Sequence, residues 1–338
     1  MKINRQQLLN VLKLVQPALA AKEIIEQSTS FLFLQGSILT YNDEIAISHP
    51  FDLGLEGAVK AEELVKLLSK LKDEELELEV TENELLIRGK RSKAGIRLEA
   101  EISLPVADIK TPEKWVPLPK DFSEAVSFCL FSASREMSKP VLTCLHAKGD
   151  VVESCDNFRL TRYKLESHIQ GKILLPATAA KVLCKYAPVE YGLLDGWAHC
   201  RNADQVSFSA RVFEGDYPNL DPFLSLKDGE EITFPGDLGE MLERAGVFSI
   251  ADFAQDEQVQ ITLEKRHMTI RGEGSVGWFE EKCPIRRSRH ELLQFSTHPE
   301  FLQQMLKHVS RTTVGGAEGR LLIEGDKWSH MIVLAAKE

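Results

Sequence analysis

One pattern occurs three times along this chain, roughly 115 residues apart, and each copy carries two short amphipathic helices separated by strand-rich sequence. The first helix of each copy places small or apolar residues at i, i+3, i+4 and i+7: Leu8, Val11, Leu12, Val15, then Phe122, Ala125, Val126, Cys129, then Leu238, Met241, Leu242, Ala245. That spacing specifies one buried face per helix. The second helix repeats the arrangement with Leu64, Leu67, Leu68, then Ala180, Leu183, Cys184, then Leu302, Met305, Leu306. Chance does not keep register over such distances, so the chain must fold as three similar blocks.

At 338 residues the chain exceeds one comfortable core and accommodates three domains. Its net charge is −10, and 43% hydrophobic with 27% charged residues places it among ordinary globular proteins rather than disordered ones. The longest apolar stretches, such as Phe31 to Leu34 and Met331 to Ala336, fall far short of the roughly 20 residues of a membrane span. The opening residues lack the apolar core of a secretory signal, and the expected location is cytoplasmic. The six cysteines (Cys129, Cys144, Cys155, Cys184, Cys200, Cys283) show no CxxC spacing and read as reduced core residues. His199 and Cys200 near Asp195 lack a second ligand pair at zinc spacing, so no metal is expected.

Within a block the order is helix, strand, turn, strand, strand, helix, then more strands. Phe31 to Leu34 and Ile38 to Tyr41 flank a Gln35-Gly36 turn, and Glu75 to Val80 and Glu84 to Ile87 form a second hairpin. The second copy has Val141 to Ala147, a Lys148-Gly149-Asp150 turn and Val151 to Cys155; the third has Val259 to Glu264, an Arg266-His267 turn and Met268 to Arg271. Thr111 to Lys114 and Asp228 to Glu231 read as linkers, giving blocks 1–113, 114–229 and 230–338. Hairpins on one side and two helices on the other describe an α+β class, in three repeated two-layer domains.

Gly272-Glu273-Gly274-Ser275-Val276-Gly277 matches the dinucleotide fingerprint GxGxxG. The fingerprint requires a strand ending at a helix N-terminus, whereas Trp278 to Pro284 is strand-like, so a glycine-rich turn between antiparallel strands is expected. No GxxxxGK[ST], GxSxG, HExxH or EF-hand loop occurs. The sequence therefore supports no enzyme, no catalytic residue and no cofactor. An NAD-dependent enzyme would need a parallel sheet, against the hairpin-rich pattern.

Basic residues gather on or near the helices although the chain is acidic: Arg5, Lys13 and Lys22; Lys60, Lys66, Lys70 and Lys72; Lys120, Lys181 and Lys185; Arg244, Lys307 and Arg311. A solvated helix face accounts for such residues one at a time. Their segregation on an acidic chain allows a surface for a polyanion, with phosphate contacts that carry no base information.

With Met1-Lys2-Ile3, Pro140-Val141-Leu142, Asp156-Asn157-Phe158-Arg159-Leu160 and Gly215-Asp216-Tyr217-Pro218 in that order, the chain resembles the bacterial DNA polymerase III beta subunit, the sliding clamp family, over its whole length. Met1-Lys2-Ile3 with Arg5 to Leu14 is similar to the family's first strand and helix, and Val59 to Leu71 to its second helix. Ser138-Lys139-Pro140-Val141-Leu142-Thr143 is similar to Arg-Pro-Val-Leu-x-Gly, and Asp156-Asn157-Phe158-Arg159-Leu160 to Asp-Gly-His-Arg-Leu. Phe213 to Leu220 matches x-x-Gly-x-Phe-Pro-Asp-Tyr. The resemblance implies a clamp fold in a head-to-tail homodimeric ring around duplex DNA, with Arg5, Lys13, Lys22, Lys66, Lys70, Lys120, Lys139, Lys181, Lys185, Arg244, Lys307 and Arg311 facing the DNA. Twelve helices side by side at about 10 Å spacing give a ring of helix axes about 38 Å across and a bore near ~28 Å, wide enough for a duplex and water.

The resemblance also implies a cleft for short peptides of the polymerase and clamp loader. Its walls would be Val141, Cys155, Asn157, Phe158, Arg159, Leu160, Pro218 and Phe223 from the second block, and Phe253, His298, Phe301, Ile332, Val333 and Leu334 from the third. Val247 and Phe248 match an apolar pair at the family's ring interface. Phe158 replaces the usual His, Pro222 stands where an Arg is common, and Leu334-Ala335-Ala336-Lys337-Glu338 replaces the usual tail. These departures suit a phage-type or specialised clamp. The alternative is a clamp-fold regulatory protein that does not encircle DNA.

Overall fold

The computed structural model describes residues 1–249, 257–287, 291–306, 311–315 and 319–335, without the side chains of 107 and 108. The six α-helices among these residues fall where the periodicity predicts: α1 (Arg5–Val15), α2 (Ala61–Lys70), α3 (Phe122–Cys129), α4 (Ala177–Leu183), α5 (Leu238–Gly246) and α6 (Pro299–Leu306). The chain divides into two compact units, Met1–Ser127 with Ile173–Glu214, and Phe128–Lys172 with Gly215–Glu338.

In the first unit a single antiparallel sheet of 12 strands runs from Lys2–Asn4 at one edge to Val116–Pro117 at the other. Its continuity from first to second repeat rests on Ile45–Pro50 pairing with Ser207–Arg211, in the register Ile47↔Phe208. Asn4 caps α1 by accepting from Gln7 N–H at 3.0 Å. The helix buries Leu8, Leu9, Val11, Leu12 and Val15, a face that contributes on the order of 10 kcal/mol before chain entropy is charged against it. Its last carbonyls are satisfied by Thr40, whose hydroxyl donates to Val15 O at 2.5 Å, and by Tyr186, whose hydroxyl donates to Leu14 O at 2.5 Å. The other sheet face is covered as well: Leu32, Tyr41, Ala46, Ala58 and Trp197 cluster with Leu104 and the flanking Ile102, Val106 and Ile109. Strands covered on both faces lose the apolar–polar alternation, and within Ser30–Leu34 the residues Phe31 to Leu34 read as a continuous apolar run.

The second unit holds a six-stranded sheet, which joins the second repeat to the third through Arg159–Tyr163 against Trp328–Ile332, and a four-stranded sheet of Gly277–Pro284, His267–Gly274, Val259–Leu263 and Leu293–Thr297. Leu238, Met241, Leu242 and Ala245 of α5 and Leu302 and Met305 of α6 are fully buried with Val259, Ile261, Met268 and Ile270. The GxGxxG segment is a hairpin, Gly274 opposite Gly277. A Cβ at Gly272 would sit 1.9 Å from Ala245 O, so this glycine exists for close helix approach; Gly277 adopts φ +153°.

Two expectations are corrected. Val141 to Thr143 do not begin a strand: Pro140–Thr143 form a 3-10 turn, which Pro140 initiates with its fixed φ. The segment Cys144–Cys155 then folds back on itself at Gly149, since His146 and Glu153, ~23 Å apart in an extended strand, lie 2.9 Å apart. The end of the Asp228–Glu231 linker is no linker either. Glu230–Glu231 pairs with the strand Arg311–Gly315, and the Glu230 carboxylate is buried against the Arg287 guanidinium. An ion pair with both side chains under 4% exposed needs its full set of hydrogen bonds, and Arg287 also donates to Leu263 O and Glu291 O.

Candidate functional site

The second unit gathers most of the residues expected to form a peptide cleft. Asp156 makes an Asx turn, its Oδ1 accepting from Phe158 N–H at 2.8 Å and Arg159 N–H at 2.9 Å. The turn is tied to the third repeat by Val333 N–H, which donates to Phe158 O at 2.7 Å. Arg159 points inward. Its Nη1 donates to Gln304 of α6 at 2.8 Å, its Nε to Asp156 at 3.2 Å, and its guanidinium carbon lies 3.9 Å from the Phe301 ring centre. His298 stacks on Phe301 at 4.2 Å. Burial lowers the Arg159 pKa and the neighbouring Asp156 carboxylate works against that shift. Asn157, Phe158, Arg159, His298 and Phe301 line one cleft of about 160 Å³, with Ser134, Glu136 and Glu300 on its polar rim.

Beside this cleft Phe158, Phe223 and Val333 remain exposed, 39%, 45% and 44% respectively. Arg320, in register with Val333, donates to Pro222 O at 3.1 Å and Phe223 O at 3.3 Å, which holds the Pro218–Phe223 segment beside that strand. Pro218 is exposed and Val141 half-buried. Cys155, Leu160, Ile332 and Leu334 are buried. Cys155 and Leu160 form a cluster with Leu220, Leu322 and Met331, so they are the floor and not the wall. Phe253 lies outside the described residues. The sequence reading missed Asp156, Glu300 and Gln304. The Asx-turn residue was legible in Asp-Asn-Phe-Arg, but Gln304 reaches Arg159 across 145 residues and no local pattern announces it.

Beneath Arg159, His330 is wholly buried. Its Nδ1 lies 2.8 Å from Thr161 Oγ1, which is 2.6 Å from Ser132 Oγ. Burial first and the Arg159 charge second push the His330 pKa down to about 3.

The basic residues divide into two kinds. Lys13, Lys22, Lys70, Lys120, Lys181 and Lys185, all in the first unit, are exposed, and among the described residues none has an acidic partner. Lys66 pairs with Glu62 one turn away, and Arg244 with Glu281 at 2.8 Å and Glu240 at 3.6 Å. Arg311 is not helical: it opens the strand Arg311–Gly315 and pairs with Glu324 on the neighbouring strand. Arg5 is turned to a structural task, because its guanidinium donates to Leu68 O and Asp73 O at the C-terminal end of α2, where helix carbonyls lack partners. Lys139 precedes the 3-10 turn close enough to Cys155 to lower its thiol pKa against the larger effect of burial. Lys307 lies outside the described residues.

Val247, just past α5, is 60% exposed, and the half-buried Phe248 packs beside Gly277. Among the described residues no group of His, Cys, Asp or Glu is arranged for a metal, and His199 Nδ1 lies 2.8 Å from Ser209 Oγ. No described helix is long and apolar enough to cross a membrane.

The antiparallel sheets with paired helices constitute the DNA clamp fold. The match runs end to end: the DNA polymerase III beta subunit of Pseudomonas aeruginosa superposes with a TM-score of 0.84 at 16% identity over 100% of both chains. That of Streptococcus pneumoniae gives 0.85 at 20% identity over 99% of both. The Bartonella birtlesii sliding clamp, solved bound to griselimycin, gives 0.87 at 15% over 100% of this chain and 99% of that one. In sequence, the beta sliding clamp of Streptococcus pneumoniae is 22% identical over 273 residues, covering 76% of this chain and 71% of that protein. No protein-family profile matches the chain. The resemblance to bacterial DNA polymerase III beta subunits drawn from the motifs is borne out in sequence and in fold.

Proposed function

We propose that this chain is a DNA sliding clamp, a non-catalytic processivity subunit that encircles duplex DNA and tethers a polymerase. The observation that carries the reading is the agreement of the whole chain, end to end, with the fold of several beta subunits. Blocks 1–113, 114–229 and 230–338 are its clamp domains, and two copies close head to tail through Val247 and Phe248 of one and the first block of the other. The unpaired lysines of the first unit hold phosphates at a distance through mobile water, which favours retention without fixing position. The cleft around Phe158, Arg159, Phe301, Phe223 and Val333 takes the apolar anchors of short peptides from a polymerase and a clamp loader, with Arg159 held rigid beneath them. Such a protein works in the cytoplasm, where the DNA is.

Light scattering over a concentration series, followed by loading onto closed and linearised circular DNA, tests the reading. A dimer retained on closed DNA and lost from linearised DNA is the expected outcome. A stable monomer with no preference for closed DNA refutes it and fits a clamp-fold regulatory protein instead.

A further inference from the structure

Charges on the outer face of the four-stranded sheet pair off along most of its length. Arg271 meets Glu273 at 3.0 Å and Glu280 at 3.4 Å, and Lys282 meets Glu264 at 3.0 Å. At the end where His267 lies opposite Pro284 the pairing stops. Lys265 and Arg266 form a tight turn closed by Glu264 N–H donating to His267 O at 2.8 Å, and Ile285 N–H donates to Arg266 O at 2.9 Å. His267 and Pro284 stand opposite each other, and both are exposed, as are Lys265 and Arg266 of the turn and Arg286, two residues past Pro284. The next residue, Arg287, turns inward to the buried Glu230 pair, with its side chain 2% exposed. That anchor fixes the segment and presents Arg286 outward.

Arg266, His267 and Arg286 line an open groove of about 870 Å³ whose remaining wall includes the half-buried Phe234 and Pro235. Among the described residues Lys265, Arg266 and Arg286 have no ion-pair partner, in a chain of net charge −10. Cations left unneutralised on an acidic protein, converging on a groove with an aromatic wall, match one polymer chemistry: phosphates for the guanidinium forks and an unpaired base for the ring. A duplex offers no free base face. We infer that this groove binds single-stranded nucleic acid, independently of the surface proposed for duplex DNA.

Fluorescence anisotropy of a labelled oligothymidylate across a salt series tests this on the full chain. Arg266→Ala with Arg286→Ala should weaken binding at least ~10-fold, and the loss of two phosphate contacts should flatten the slope of log affinity against log salt by about 1.4. The melting temperature should stay unchanged, because neither side chain has a partner to lose. Arg266→Lys with Arg286→Lys should keep most of the affinity. Equal affinity and slope in the alanine variant would overturn the inference. So would displacement of the oligonucleotide by polyglutamate at equal charge concentration, which would assign the groove to an acidic peptide. A linear strand needs no closed ring, so failure here and failure to be retained on circular duplex are separate results.

Discussion

Arg159→Ala is the most informative single perturbation, since this side chain joins the Asx turn to α6 and its charge acts on His330. Truncation removes a desolvated cation–π contact worth about 2 kcal/mol and charge-assisted hydrogen bonds to Asp156 and Gln304 worth about 1.5–3 kcal/mol each. Relief of the guanidinium's own desolvation offsets part of this, and Asp156, with 15% of its side chain exposed, regains some water. The net local cost is about 3 kcal/mol, a factor of roughly 100 in the opening equilibrium. Hydrogen exchange at the amides of Phe158 and Arg159, both bonded to Asp156, and at Val333 should report it, with amides of the first unit unaffected. A second readout follows from His330. Its folded pKa of about 3 lies below the ordinary value, so its contribution to stability is complete above pH ~6.5 and is lost as pH falls toward 3. In the parent that loss reaches about 2 kcal/mol by pH 5. Without Arg159 the folded pKa rises while burial still holds it below the ordinary value, so the two profiles coincide down to about pH 5 and separate below about pH 4, where the variant stops losing stability before the parent does. Exchange within about 0.5 kcal/mol of the parent, or an identical pH profile, would refute this account of the cleft.

Three other outcomes are expected. Gly272→Ala drives a Cβ into Ala245 O, and moving α5 away costs about 3 kcal/mol; because α5 leads directly into Val247 and Phe248, sedimentation should show a weaker dimer together with a lower melting temperature. Val247→Ala with Phe248→Ala should give a folded monomer of unchanged circular dichroism, and a dimer mass would count against the proposed interface. Replacing Lys13, Lys120, Lys181 and Lys185 with Gln should shorten retention on closed circular DNA and reduce its salt sensitivity. Arg244→Gln, whose parent charge is already held by Glu281, should leave both unchanged, and the reverse ranking would contradict the division of basic residues made from their ion pairs.

Helix positions, the principal hairpins and the failure of the GxGxxG segment as a dinucleotide site were all legible locally, because periodicity and turn chemistry act within a few residues. The resemblance to the beta subunits was legible for a related reason: motifs such as Asp-Asn-Phe-Arg-Leu stand in the same order along the chain. What a given cation does was not legible. Arg5, Arg244 and Arg311 look like the free lysines on paper, yet carbonyls or carboxylates 13 to 68 residues away engage each of them. Glu230, written in an acidic run that reads as solvated linker, is buried because Arg287, 57 residues on, meets it. Amphipathic period and turn residues are properties of adjacent positions and belong to the sequence alone. Whether a charge is neutralised, a cleft has a floor or a glycine meets a helix depends on partners that only the folded chain brings within a few ångströms.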